Sequence, residues 1–374
     1  MGFDLRTHTI LLTVAGSRAH GLHRPDSDVD LKGVAVPSRE ALYGFLHPFE
    51  QIDDAPSLQP LAEFLQEPER AVVERSKLEG SVYDVRKFAR LAADSNPNLF
   101  EILFCRDEEV RVCTAIGRRL RDARRIFLSQ KARHSFSGYA LAQLRRIHGH
   151  RRWLLDPPKG PPDRATFGLP PRTLIPADQL AAAQAAVRKK LDQWEIDFGA
   201  LPKSEVLHVQ EQIVAFLSEV MESTDARWKN AARTIGLDDN LILVLDRERH
   251  YKAAHDDWVQ YQSWQKSRNP ERAKLEAAFG YDTKHGAHIV RLLRMGREIL
   301  ETGEVHVWRG DRDAEELQAI RAGAWTIDRL LGWAEEEERA LGRIVNDGKA
   351  VVRERPDMEA IDALAIELVE ASLA

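Results

Sequence analysis

The chain reads as an α+β protein, a small mixed sheet with flanking helices over residues 1–110 followed by a largely all-α domain over residues 111–374. Three observations carry this reading. Apolar, β-branched runs at 9–15, 29–36 and 81–85 have the length and composition of strands. Beyond residue 110 such runs fade and a 3.6-residue periodicity takes over. A length of 374 residues also exceeds what one ordinary core organises, which favours two domains.

In order along the chain, 39–44 is a short turn or helix, and 51–69, rich in Pro, Asp and Gln, is a loop carrying a short helix. Residues 71–78 form a further strand or a helix end. A helix follows at 85–93. Asp94-Ser95-Asn96-Pro97-Asn98 then stops it and caps the next one at 99–104, since Asn accepts from uncapped N–H groups and Pro fits the first turn. Basic amphipathic helices are expected at 111–133 and 136–155, and further helices at 177–198, 204–222, 240–266, 270–278, 284–302 and 313–343. Between them, six prolines from Pro157 to Pro171 deny donors and helical geometry, so 156–172 is an extended loop or lid. The acidic run Glu335-Glu336-Glu337-Glu338 faces solvent.

With 43% apolar and 30% charged residues the composition is that of a globular protein, and a net charge of −5 gives no global signature of nucleic-acid binding. Any basic surface must be local. Cys105 and Cys113, without a second pair, argue against a zinc knuckle or disulfide framework and fit a reducing cytoplasm. No apolar run approaches the roughly 20 residues that span a bilayer, so no membrane association is expected.

The chemistry concentrates between Gly16 and Leu31. Gly16-Ser17 closes the first strand with a tight turn that can offer backbone N–H groups and a hydroxyl to phosphate oxygens. Asp28 and Asp30, two apart at the start of the second strand, share a face. Two carboxylates so close raise each other's pKa unless a cation neutralises them, and Mg2+ is the usual one. Phosphate on one side and metal on the other describe a nucleoside triphosphate site.

Gly16-Ser17 joined to Asp28-x-Asp30 resembles the nucleotidyltransferase signature of the DNA polymerase β superfamily. Three later blocks narrow the resemblance to the bacterial and phage RNA-repair-pathway polymerase β family: Asn96-Pro97-Asn98 with Glu101, Phe136-Ser137-Gly138-Tyr139 with Gln143, and Tyr281-Asp282-Thr283-Lys284-His285-Gly286 through Leu293. The resemblance runs from about residue 10 to 330. It implies a polymerase-β-type head that transfers a nucleoside monophosphate from an NTP to an acceptor, most readily an RNA end, and releases pyrophosphate. Two Mg2+ ions, or Mn2+, would be held by Asp28, Asp30 and a third carboxylate. Asp84 is the candidate for that third position, with Glu101 and Glu79 as alternatives. As an alternative role, Asp84 caps the helix that starts at Val85.

Two helical stripes supply an opposite wall. Lys284, His288 and Arg291 share one face, and Tyr139, Gln143, Arg146 and His150 share another. With Gly16, Ser17 and Arg18, the first stripe would bind the NTP, and the second would bind the acceptor or the nucleotide. The bland alternative for each is a solvent-facing helix edge. Between Arg111 and Arg152 stand twelve Lys or Arg against one acid, Asp122, with Phe127, Phe136, Tyr139 and Trp153 interleaved. This segment would bind RNA, or else pair with acidic helices. Competing functions are transfer to a protein hydroxyl or a small molecule and, in another class, a non-catalytic RNA-binding protein.

Overall fold

The computed structural model describes residues 3–24, 27–75, 78–173, 185–186, 229, 232–233, 236–268 and 270–374. The helices expected at 177–198 and 204–222 lie, apart from residues 185–186, outside the described residues. Among the described residues, five strands form one mixed sheet: β1 (Thr9–Val14), β2 (Asp30–Ala35), β3 (Gln51–Ile52), β4 (Glu79–Asp84) and β5 (Val110–Cys113), in the order β3-β4-β2-β1-β5. β1 runs antiparallel to β2 and β5, β3 antiparallel to β4, and β2 parallel to β4. All six residues of β1 are buried, as a central strand covered on both faces requires. Leu12, Val14, Leu31 and Val82 face one core; Leu11, Val34 and Tyr83 face the other, larger one.

Among the described residues up to 155, nine α-helices surround or follow the strands: α1 (Leu5–His8), α2 (Gly16–Ala19), α3 (Arg39–Tyr43), α4 (Ala55–Leu58), α5 (Glu67–Val73), α6 (Val85–Ala93), α7 (Pro97–Phe104), α8 (Ala115–Asp122) and α9 (Lys131–Leu155). Local capping explains most starts: Ser38 caps α3, Asp84 caps α6, Asn96 caps α7 with Pro97 at its first position, and Thr114 caps α8. Of residues 71–78, those described contain the end of α5 and no strand.

The helix expected at 111–133 is not formed. Val110–Cys113 instead completes the open edge of β1, and Thr114 starts a separate short helix whose Gly117 sits against β1. A neighbouring strand decides this, and periodicity within the segment cannot register it.

Later helices are α10 (Asp239–Ser267), α11 (Pro270–Phe279), α12 (Thr283–Thr302), α13 (Ala314–Arg321), α14 (Ile327–Asn346) and α15 (Met358–Leu373). The single helix expected at 313–343 is broken in two, because Gly323 adopts φ 94° and Thr326 caps a new start. The C-terminal α15 was not anticipated by the sequence pattern.

The chain divides into a discontinuous unit, Met1–Leu154 with Asn269–Ala374, and an inserted one, Leu155–Arg268. This differs from the division at residue 110. The sheet extends through Cys113, and α12, α14 and α15 share a core with β1, α6 and α7, from Leu11 and Phe88 to Leu292, Leu341 and Leu368. In the inserted unit the turn Arg164–Phe167 docks on α10, where Arg164 pairs with Glu248 at 3.0 Å and lies over the Tyr251 ring. Residues 156–163 and 168–173 carry no helix, as the prolines require.

Candidate active site

The turn after β1 is tied to the start of β2. The Ala15 N–H donates to the Asp30 carbonyl at 2.8 Å. Gly16 follows with φ 61°, and a Cβ there would lie 2.0 Å from Asp30 Oδ2, so only glycine lets the carboxylate lie against the turn. Ala15 at the cap position offers no side-chain acceptor to the first N–H groups of α2, and Ser17 beside them is half-buried. Arg18 spends its donors on the loop, from Nη2 to the Ser27 carbonyl at 3.0 Å and from Nε to the Asp28 carbonyl at 3.3 Å. It fastens the backbone that delivers the two acids.

Asp28 is exposed, and Asp30 is partly buried as the first residue of β2. Burial raises the Asp30 pKa; Lys32 opposes this, while Glu79, Glu101 and Asp28 add to it. Glu79 is the residue paired with Asp30 across the parallel β2–β4 ladder. Asp84 is not placed with these acids. It pairs in register with Ala35, five residues further on, or about 16 Å along the strand. There it is buried, accepts from the Arg86 N–H at 2.6 Å and binds the Arg86 guanidinium at 2.6 Å. The capping role is the one formed, and strand pairing sets Glu79, not Asp84, beside Asp30. Among the described residues, no three His, Cys, Asp or Glu side chains converge as a metal-binding group.

Glu101 of α7 is buried beneath this row, with both oxygens engaged. Oε1 lies 2.8 Å from His20 Nε2 and 3.5 Å from Arg291 Nη1; Oε2 lies 2.9 Å from Lys32 Nζ, which also donates to Asn98 at 3.0 Å. Burial would raise its pKa, but Lys32, His20 and Arg291 outweigh that and hold the carboxyl well below the usual range. As an alternative metal ligand it is therefore already committed to protein cations. Neither His20 nor Lys32 was singled out from sequence. Lys32 carried a signal, since it shares the Asp30 face by the period of two, whereas His20 carried none.

α12 supplies the opposite wall. Lys284 keeps an exposed surface at the start of this helix, but protein crowds its ammonium; that desolvation, then Arg321 and Arg272, lowers its pKa, while Asp30 and Asp28 raise it, so the ammonium lies within electrostatic reach of both acids. Arg291 is buried and donates to His288 Nδ1 at 2.9 Å, and burial with Arg291 keeps His288 well below its ordinary pKa. α9 runs antiparallel to α12. A Cβ at Gly296 would lie 3.0 Å from that of Phe136, while Arg146 and His150 at the other end act on His285. The two polar stripes therefore adjoin. Tyr139 is half-buried against the core, Gln143 has a buried Oε1 without a hydrogen-bond partner among the described residues, and Arg146 is exposed.

With this geometry in place, comparison with known families finds a similarity in the first part of the chain. Residues 4–153 match the RNA repair pathway DNA polymerase beta family. The similarity supports transferase chemistry of the polymerase beta type at the coarse level, linked by the family's description to RNA repair. No curated protein and no solved structure matches the chain. The matched residues contain the Gly16 turn, the acids, Glu101 and the α9 stripe; Lys284, His288 and Arg291 lie outside them.

Within the matched region, five of the twelve cations of 111–152 stand in ion pairs with acids among the described residues. Arg111 binds Glu69, Arg125 binds Glu304, and Arg119, Arg121 and Lys131 bind Glu367, Asp107 and Asp94 at 2.6–2.9 Å. Phe127, Phe136 and Trp153 are buried and belong to the fold, so they offer no faces on which bases could stack. No described helix is long and apolar enough to cross a membrane.

Proposed function

We propose that the protein is a Mg2+-dependent nucleotidyltransferase that moves a nucleoside monophosphate from an NTP to an RNA end and releases pyrophosphate. The observation that carries this reading is the contact of the Gly16 turn with the Asp30 carboxylate, which brings a phosphate-binding turn and an acid pair into one site under Lys284. The donor chemistry fits Mg2+. A half-buried carboxylate whose pKa is raised by burial and by three neighbouring acids needs a cation, and Mg2+ takes one or two carboxylates and completes its shell with phosphates and water.

Asp28 and Asp30 would hold the metal, with Glu79 the nearest further acid. When bound, the metal supplies charge stabilisation to the attacking and leaving oxygens of an in-line displacement. Ser17 and the uncapped N–H groups of α2 bind the β and γ phosphates, and Lys284 neutralises them from the other wall. Tyr139, Gln143 and Arg146 border the space where the nucleotide or the acceptor enters. Arg18 keeps the loop before β2 in place.

The test is labelling with each radioactive NTP against RNA ends, tRNA, DNA, protein lysate and metabolites. Transfer to RNA is expected, and the Asp28→Ala, Asp30→Ala double variant should lower it by about 10^3-fold or more, the scale of a lost metal site. Undiminished labelling in that variant removes the assignment, and labelling of protein or metabolite alone moves the acceptor to that class.

A further inference from the structure

Four elements meet at Glu101: His20 after α2, Lys32 on β2, α7 itself and Arg291 on α12. The last of these contacts leads on to His288. Arg291 Nη2 lies 2.9 Å from His288 Nδ1. A guanidinium has only donors and keeps its charge in proteins, so Nδ1 accepts and carries no proton. The proton of the neutral ring is then on Nε2, at the opposite edge. His288 lies one turn from Lys284 on the same helix face and is half-buried. Arg291 is buried, with Glu101 Oε1 at 3.5 Å as its anion and Met295 Sδ at 3.5 Å beneath it. A buried guanidinium without an anion would be strongly unfavourable, so the position of Arg291 depends on Glu101. The titratable and charged groups acting on His288 are Arg291 and His285 from its own helix, Glu101 from α7 and His20.

We infer that Glu101 and Arg291 are positioning residues that lock His288 in its Nε2–H form, so that His288 meets the bound nucleotide as a hydrogen-bond donor to one of its oxygens and not as an acid–base group. This rests on the nucleotidyltransferase reading for the identity of the ligand, but the locked tautomer stands on the protein alone. It also gives Glu101 a role that needs no metal.

Two measurements test it. In the full chain labelled with 15N-histidine and free of nucleotide, the His288 signal, assigned by its loss in His288→Gln, should show a bare Nδ1 and a protonated Nε2 from pH 6 to 8. Glu101→Gln should mix the tautomers, and Arg291→Lys, which keeps the buried charge but loses the fork, serves if Glu101→Gln does not fold. An Nδ1–H form or an imidazolium in the unsubstituted protein overturns the inference.

In NMP transfer, His288→Leu should raise the NTP KM by about 10- to 100-fold, the range of one hydrogen bond to a charged group. His288→Gln, whose amide N–H reaches the place of Nε2, should recover most of that loss. Equal damage from Gln and Leu would assign His288 to proton transfer. A Glu101→Gln variant that needs more Mg2+ with an unchanged NTP KM would make Glu101 a metal ligand. If the unsubstituted protein transfers no nucleotide, the functional reading fails while the tautomer measurement still decides the lock.

Discussion

The charged form of Asp30 is held in the fold at a cost. Its pKa is raised above the ordinary 3.8, by burial first and then by Glu79, Glu101 and Asp28 against Lys32. For a carboxyl raised in this way, the native state binds the proton more tightly than the unfolded chain does. Stability therefore falls as pH rises from about 3.8 through the folded pKa, and the penalty is fully present above it. Asp30→Asn should accordingly melt higher than the unsubstituted protein at pH 7 in EDTA, and the gap should close below about pH 4, where both side chains are neutral. Thermal unfolding across pH 4–8 checks this, and a less stable Asp30→Asn at pH 7 would mean the charge is already neutralised by the protein. Asp28, Asp30 and Gly16 were legible in the sequence because turn and strand spacing are local. That Glu79 and not Asp84 lies beside Asp30 depends on the β2–β4 register, which no five-residue run contains.

At the scale of elements, local signals were read well and pairings poorly. The helices α6 and α7 follow from Asp84, Asn96 and Pro97, each acting within a few residues of itself. β5 and α8 were misread as one helix, since what makes Val110 and Val112 a strand is the open edge of β1. The same contact gives a stability prediction. A Cβ on Gly117 would lie 2.0 Å from the Ile10 carbonyl oxygen, so α8 rests directly on the backbone of β1. Gly117→Ala gains helix propensity but must push α8 off the strand, and the overlap with backbone outweighs the gain. A loss of about 1–3 kcal/mol is expected, seen as a lower urea midpoint with an unchanged slope. A midpoint at or above that of the unsubstituted protein would mean that α8 does not bear on β1.

Over the whole molecule, the sheet and its helical cover were foreseeable, but the boundary between units was not, because α12, α14 and α15 return to a core begun by β1 some 280 residues earlier. That return also brings acids to part of the basic segment. The cations of 111–152 looked unopposed in sequence, yet Arg119 and Arg125 find Glu367 and Glu304, supplied by the last helix and by the loop after α12. These pairs are exposed and weak, so their value lies in neutralising charge more than in stability. Lys284 and Arg146 differ. Both are exposed on the adjoining stripes of α12 and α9, and Lys284 lies in reach of the acid pair. Each phosphate neutralised contributes about 0.7–0.9 to the slope of log K against log salt. With Lys284 kept for the NTP, the Arg146→Gln variant should therefore flatten the slope for RNA binding by about 0.7–0.9, while Arg119→Gln, Arg125→Gln should leave it within about 0.3 of the unsubstituted protein. Titrations of a fluorescent RNA at four salt concentrations separate the two. A flattened slope in the Arg119, Arg125 variant alone would place the RNA on the basic segment and away from the cleft.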